Sequence, residues 1–210
     1  MSSIEQSWER IHIWLRSNAS KILESLQGAA DKSEINQLEE IIESKLPQQL
    51  IEFYSFHNGI NPNVLANLFY GINFISISNT TKQISNYETP NDKKPLKYAD
   101  CEINSSYTFG KKRLPIASDN GTCLLCVDLD PIDNGLVGQI IFLDYDYSVA
   151  FKLANSIEEL LEKFSDDLES EKYSLLPEAL EEGNEWLSPI KEIDPCNWFN
   201  SPTWSHIKIK

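Results

Sequence analysis

Two different hydrophobic periods divide the chain. In the N-terminal part, apolar residues recur every three or four positions, which is typical of one buried helix face. The first such face consists of Ile4, Trp8, Ile11 and Leu15. From residue 114 onward, apolar and polar residues alternate instead, which is typical of strands. The change of period predicts helices followed by a β-sheet.

Short signals mark where the predicted helices begin and end. Asp31 with Glu34 three residues later, or Ser33 alone, predicts a capped helix start, and Pro47 predicts the end of that helix. The tripeptide His-Asn-Gly at 57–59 predicts a helix stop, because Asn and Gly readily adopt the left-handed conformation. After it, "LFYGINFISI" predicts a strand or strand pair around Gly71, and "NTTKQISNY" predicts a short surface helix.

Four later segments are predicted strands: "LPIAS", "TCLLCVDLD", "GQIIFLDYD" and "SVAFKLA". Asn120-Gly121, between the first two, is a strong signal for a tight hairpin. The segment "SIEELLEKFSDDLE" then predicts a helix, because Ser156 and Glu159 form a capping box ahead of one apolar stripe. We expect residues 1–175 to form one domain.

The last residues, 176–210, show no regular period. They carry four prolines and the tryptophans Trp186, Trp198 and Trp204. A segment this rich in large aromatic residues is not typical of disorder. We therefore expect an irregular extension that packs on the domain.

Charge narrows the classes of partner. The 210 residues include 18 Lys and Arg against 32 Asp and Glu, a formal net charge of −14. Such a field repels nucleic acid and anionic membranes and attracts basic proteins, although solubility alone also explains an acidic chain. The N-terminus lacks the pattern of a secretory signal, and no apolar run is long enough to cross a membrane. We expect a cytoplasmic protein, and the oligomeric state stays open.

The cysteines do not form a metal-site or disulfide pattern. Cys101, Cys123, Cys126 and Cys196 are few and scattered for a chain of this size. Cys123 and Cys126 have zinc-like spacing, but they lie three apart in a predicted strand and would point to opposite faces of the sheet. We expect reduced, metal-free cysteines and no cofactor.

Aspartates cluster around the predicted hairpin. Asp128 and Asp130 share one face at the end of a strand, and Asp144 and Asp146 share a face at the end of the next. We expect these four carboxylates, with Asp119 beside the turn, to form one acidic rim that binds a protein partner. Glycoside hydrolysis, binding of a calcium-like cation and ordinary turn hydrogen bonding are the alternatives.

No catalytic constellation is evident elsewhere. His12, His57 and His206 belong to three separate segments, so each is expected to be structural or exposed. The nucleophile-elbow, phosphate-loop and dinucleotide-binding motifs are absent from the sequence. Residues 88–113 hold the one basic stretch, with five lysines and Arg113, and are expected to be a solvated loop.

The order of the motifs resembles a known superfamily. Leu-Pro lies between two predicted helices, Asn-Gly ends the second helix, and Pro-Ile-Ala, Asp-Asn-Gly and Asp-Leu-Asp-Pro follow in that order. Over roughly residues 4–170 this resembles the SUKH superfamily, most closely its branch named for the fungal cell-wall assembly (glucan synthesis) regulator. The resemblance implies an α+β fold with a single twisted, mainly antiparallel sheet packed against N-terminal helices and one long C-terminal helix.

The resemblance also orders the functional hypotheses. Bacterial members of the superfamily are largely immunity proteins that neutralise toxins, and fungal members regulate cell-wall synthesis through protein contacts. The first hypothesis is a non-enzymatic immunity protein that binds a basic toxin domain through its acidic surface. The alternative is a regulatory scaffold in cell-wall synthesis. A carboxylate-dependent enzyme using Asp128, Asp130 and Asp144 is the second alternative.

Overall fold

A computed structural model describes residues 2–87 and 94–209 of the chain. Within them the helices are α1 (Ser3–Asn18), α2 (Ser20–Ser25), α3 (Lys32–Ile42), α4 (Gln48–Phe56), α5 (Ile77–Ser85), α6 (Ile157–Glu169) and α7 (Pro177–Glu181). The strands are β1 (Asn73–Phe74), β2 (Tyr98–Ala99), β3 (Arg113–Ser118), β4 (Cys123–Asp128), β5 (Gln139–Asp144), β6 (Val149–Ala154), β7 (Tyr173–Leu175) and β8 (Leu187–Pro189).

The main sheet has the strand order β1-β3-β4-β5-β6-β2. All neighbours in it are antiparallel except β2, which pairs with β6 in parallel. β7 and β8 form a separate antiparallel pair. The predicted α+β fold with one mainly antiparallel sheet is therefore confirmed, and all four predicted strands of the central meander are present.

Both faces of the meander are buried. One face packs against the helices and includes Leu125 and Phe142, whereas the other includes Leu124 and Ile141 and is covered from the segment 94–112. Every residue of β3, β4 and β5 is buried as a result. The alternation in the sequence marks which face a residue occupies, and it does not mark exposure to solvent.

The helices α1 and α6 pack on each other over the helical face of the sheet. Trp8 of α1 is fully buried, and Phe164 of α6 has 1% of its surface exposed. The Phe164 ring lies 5.1 Å from that of Phe69, in an edge-to-face arrangement that aromatic pairs favour. Arg10 joins the two helices at the surface through Asp166 and Glu169. The prediction that Trp8 and Phe164 are core residues is confirmed.

The segment predicted as a strand around Gly71 is mostly not a strand. Tyr70 and Gly71 both have positive φ angles, 53° and 78°, so the backbone turns where an extended chain was expected. A short 3₁₀ turn, Phe69–Gly71, precedes β1, which is only two residues long. The nearby stop at 57–59 is as predicted: α4 ends at Phe56, and Gly59 takes a φ of 85°.

The C-terminal segment contacts the rest of the chain at several points. Asn67 exchanges two hydrogen bonds with the backbone of Leu187, of 2.8 and 2.7 Å, and Leu187 is fully buried. Trp198 has 3% of its surface exposed, and the Trp204 ring lies 4.9 Å from that of Phe151. These contacts bring the tryptophan-rich segment back onto the sheet and its turns.

Truncating the buried ring of α6 tests this packing. Phe164→Ala removes an aromatic side chain from a site that the surrounding rings cannot close, so we expect a loss of about 3–5 kcal/mol in the free energy of unfolding. Ile13→Ala, at an exposed position of α1, is the control and should change it by no more than about 0.5 kcal/mol. Urea unfolding followed by circular dichroism measures both. Similar small losses for the two variants would contradict the packing.

Candidate partner-binding surface

The five predicted aspartates lie at two opposite ends of the sheet. In the antiparallel register, Cys123 faces Asp144 and Asp128 faces Gln139, so the last residues of β4 and β5 lie at opposite ends of the sheet. Asp119, Asp144 and Asp146 lie at the end with the β3–β4 turn, and Asp128 and Asp130 lie at the other. The prediction of one acidic rim is therefore wrong, because consecutive antiparallel strands run in opposite directions. Whether any of the five aspartates contacts a partner stays a prediction.

Asp144 is an internal hydrogen-bond acceptor. Its side chain is buried, with 3% of the residue exposed. Its Oδ2 atom accepts a 3.0 Å hydrogen bond from the indole Nε1 of Trp198, and its Oδ1 atom accepts from the backbone N–H of Tyr147. The pairing with Trp198 spans 54 residues. No local signal in the sequence links the two residues.

Around this buried pair lies an exposed surface of aromatic and acidic side chains. We call it the turn-end surface; it consists of Asp119, Tyr145, Asp146, Tyr147 and Phe199. Tyr147 and Phe199 expose 48% and 53% of their area, and their ring centroids lie 6.5 Å apart. The Tyr147 ring also lies 6.0 Å from the ring of Trp198. Because Phe199 follows Trp198 directly, this contact holds Phe199 beside the β5–β6 turn. Exposed aromatic rings are the residues most enriched at protein interfaces.

The turn itself is held by Asp119. Its Oδ1 atom accepts from the backbone N–H groups of Gly121 and Cys123 at 2.7 and 2.9 Å. Asn120 takes a left-handed φ of 58°. The predicted hairpin is confirmed, and residues 119–122 connect its strands. Asp119 is nevertheless exposed, so it serves the turn and adds charge to the surface.

The electrostatic environment of this end is negative. Partial burial raises the pKa of the Tyr145 hydroxyl, and the charges of Asp119, Asp146 and Asp144 raise it further. Negative neighbours disfavour a phenolate and favour a bound cation for the same Coulombic reason. The turn-end surface is therefore suited to a positively charged group lying against an aromatic ring.

At the opposite end of β4 and β5, buried polar side chains form an internal hydrogen-bond network. Asp128 is fully buried, accepts a 2.9 Å hydrogen bond from Gln139, and is the cross-strand partner of Arg113. Burial raises its pKa. The Arg113 guanidinium, itself 1% exposed, donates to the carbonyl groups of Asn104, Tyr107 and Thr108. This network ties the segment that covers the second face of the sheet to the strands.

Asp130 and the predicted basic loop belong to the same end. Asp130 accepts hydrogen bonds from Asn104 and Tyr107, of 2.9 and 3.0 Å. Arg113 was expected in a solvated loop, and that prediction is wrong, because its positive charge is compensated by buried carbonyl groups. Residues 88–93 of that predicted loop lie outside the described residues.

Two histidines that the sequence keeps apart meet in the structure. The Nε2 atoms of His12 and His57 lie 2.7 Å apart, and Nδ1 of His57 lies 2.8 Å from the carbonyl oxygen of Gln27. A carbonyl only accepts, so this contact assigns the proton of His57 to Nδ1 and makes His12 the donor to its Nε2 atom. Burial lowers the pKa of both residues, and the proximity of His57 lowers that of His12 further.

Metal-ligating side chains are not grouped in residues 2–87 and 94–209. No three histidine, cysteine, aspartate or glutamate side chains lie there in an arrangement that would hold a metal ion. Cys123 and Cys126 belong to the clusters on the two opposite faces of the sheet, as predicted. None of the helices in these ranges is long and apolar enough to cross a membrane.

Comparison with protein families identifies relatives. Residues 29–163 match the model of the SMI1/KNR4 family (SUKH-1). A glucan synthesis regulatory protein of Neurospora crassa is 21% identical to the chain over 208 residues. That match covers 81% of this chain but 39% of the relative, so the chain spans less than half of the relative's length. The family match includes the hairpin and excludes Trp198 and Phe199.

We predict that the histidine pair makes the folded protein less stable in mild acid. Both folded-state pKa values lie below the ordinary 6.5, so the unfolded chain takes up protons first as the pH falls. The contribution of the histidine pair to the free energy of unfolding is therefore retained above about pH 6.5 and lost as the pH falls below it. Urea midpoints at pH 7.5 and 5.5 should differ less in His12→Gln/His57→Gln than in wild type. His206→Gln, at an exposed position, should leave the difference unchanged.

Asp144 and Asp146 should differ sharply in their effect on stability. Asp144→Ala leaves the buried indole N–H of Trp198 without its acceptor, so we expect a cost of about 1–3 kcal/mol in the free energy of unfolding. Asp146→Ala changes an exposed side chain and should cost no more than about 0.5 kcal/mol. Denaturant melts of the two variants measure this. Equal effects would show that Asp144 is not held as described.

Proposed function

Because this chain belongs to the SMI1/KNR4 family (SUKH-1), we propose that it is a non-enzymatic regulatory protein that acts by binding another protein through its turn-end surface. The observation that carries this proposal is the group of exposed aromatic rings beside Asp119 and Asp146. These rings lie on the β5–β6 turn and on the C-terminal segment, and the buried Asp144–Trp198 pair joins the two. Aromatic anchors held in place lose little conformational entropy when a partner binds.

The partner of this surface is a basic protein. The chain has a net charge of −14, and the turn-end surface concentrates carboxylates around tyrosine and phenylalanine rings. A lysine or arginine side chain satisfies both features, since it pairs with a carboxylate and stacks on an aromatic face. Complementary charge also accelerates association by long-range attraction. Nucleic acid and anionic membranes, which carry the same sign of charge, are disfavoured.

Two regulatory roles fit such a partner. The first is regulation of glucan synthesis, supported by the name of the Neurospora crassa relative, of which this chain spans 39% of the length. The second is immunity, in which the protein neutralises a basic toxin domain. The net charge of −14 favours this second role, because toxins that act on nucleic acid are basic. The identity of the bound protein distinguishes the two.

Removing the surface without disturbing the fold tests the proposal. The variant Asp119→Asn/Asp146→Asn/Phe199→Ala keeps an acceptor at the turn and removes two charges and one ring. The control, Glu40→Gln/Asp133→Asn/Ile13→Ala, removes two charges and one apolar side chain at other exposed positions. We expect the wild type and the control to retain the same proteins from the native host extract, and the surface variant to lose one of them. Quantitative mass spectrometry of the retained proteins measures this.

The retained protein then serves in a kinetic test. By surface plasmon resonance, the association rate of the surface variant should fall below that of wild type at low salt, and the difference should shrink as salt screens the charges. A retained enzyme of glucan synthesis favours the first role, and a retained toxin domain favours the second. Equal retention and equal rates for all three proteins would contradict the proposal. The groove beside the exposed Leu136 and Val137 would then be the next candidate for the partner-binding surface.

A further inference from the structure

A small cavity lies beside β1, the edge strand of the main sheet. It has a volume of about 230 Å³, and its walls come from the loop after α4, from β1, from α5 and from the turn at 119–122. None of the described residues that line it is acidic or basic, and four of them are asparagines: Asn61, Asn73, Asn79 and Asn120. This uncharged lining distinguishes the cavity from the acidic turn-end surface.

The fold brings these asparagines together from separate segments. A backbone hydrogen bond of 2.9 Å to the carbonyl group of Phe74 holds the loop that begins with Asn61 beside β1. In the register of β1 and β3, Asn73 lies opposite Ser118. The Ser118 hydroxyl accepts a 3.0 Å hydrogen bond from the backbone N–H of Asn120, which brings the turn to the same edge. The grouping therefore depends on the tertiary fold.

The carboxamide groups of these residues are not fully used by the protein. The Oδ1 atom of Asn73 is buried and has no hydrogen-bond partner among the described residues. Asn61 uses its Oδ1 atom to accept from the backbone N–H of Asn63. Asn79 and Asn120 donate to neighbouring hydroxyl groups through their backbone N–H groups, and no described residue hydrogen-bonds to their side chains. Because a buried polar atom without a partner is costly, a molecule that donates to Asn73 is favoured.

Two kinds of contact define the molecule that fits. A carboxamide offers an acceptor oxygen and two donor hydrogens, which match hydroxyl groups, since each hydroxyl both donates and accepts. Apolar side chains, among them Phe74 and Ile75, line the same cavity and suit C–H groups. No described side chain there would compensate an ionic charge, so a charged molecule is disfavoured. The cavity is also smaller than the about 300–1,000 Å³ typical of sites for drug-sized ligands.

We propose that this cavity is a binding site for one neutral sugar ring. A sugar ring carries hydroxyl groups around its rim and C–H groups on its faces, so it meets both kinds of contact. Pro62 and Val64, which also line the cavity, are exposed, so the lining reaches the protein surface. The ring is therefore supplied either by a free sugar or by the end of a longer saccharide chain. This site goes beyond the partner-binding function proposed above and does not depend on it.

Nuclear magnetic resonance titration of the isotope-labelled, full-length protein tests the proposal. D-glucose, D-galactose and D-mannose are each added to millimolar concentrations while the amide signals are followed. We expect at least one of them to shift the signals of the cavity residues saturably, and the corresponding uronate, which adds a carboxylate, to bind more weakly. Tighter binding of a disaccharide of that sugar would identify a chain end as the source, and equal binding would identify the free sugar.

Matched variants make the result specific. Asn73→Ala removes the unpaired carboxamide, so we expect sugar binding about tenfold weaker and a urea midpoint that is unchanged or higher. Asn79→Ala, which suits a helix, should also weaken binding and serves if Asn73→Ala does not fold. Asn36→Ala, at an exposed position of α3, should bind like wild type. The absence of saturable shifts at the cavity with all three sugars, or equal affinities for wild type and the two cavity variants, would overturn the proposal.

Discussion

Burial of both faces of the central meander is the constraint on which the rest of the structure depends. A sheet covered on one side alone would leave its alternate side chains in water. Here the helices cover one face and the segment 94–112 covers the other, so each residue of β3, β4 and β5 is removed from solvent. Polar groups at the strand ends must then find partners within the protein, because an unpaired buried polar group is costly.

This requirement explains the two internal carboxylates. At one end of the hairpin, Asp128 is paired with Gln139 and lies across from the buried Arg113, which anchors the covering segment through backbone carbonyls. At the other end, Asp144 accepts from Trp198 and anchors the C-terminal segment. At each end of β4 and β5, a buried aspartate therefore lies beside the residue that attaches another part of the chain to the sheet. Asp119 and Asp146, on the turns, are exposed and carry the charge of the proposed binding surface.

The attachment of Trp198 also determines which aromatic rings lie on the turn-end surface. Trp198 is buried against the hairpin, so its neighbour Phe199 is held outward beside Tyr147. The aromatic rings of the turn-end surface thus come partly from the family domain and partly from a segment outside the family match. A partner bound to this surface would therefore contact both parts of the chain.

Some properties of this protein follow from its sequence alone. The spacing of apolar residues locates the main helices and four strands, because local periodicity reports which side of an element is buried. The same alternation puts Cys123 and Cys126 on opposite faces, and the order of short motifs identifies the family. The positions of the helices, strands and sheet faces depend on residues close together in the sequence, where sequence spacing and spatial position are closely linked.

Other properties were decided only by the tertiary structure, because they depend on contacts between residues far apart in the chain. Strand direction separated the aspartates, and coverage of the second sheet face buried Asp128 and Arg113. Docking of the C-terminal segment paired Asp144 with Trp198, and the packing of α1 against α4 brought His12 to His57. Such pairings have no local signature, since any polar side chain at a strand end or helix end can be satisfied by water. Only the folded chain determines which residue replaces that water.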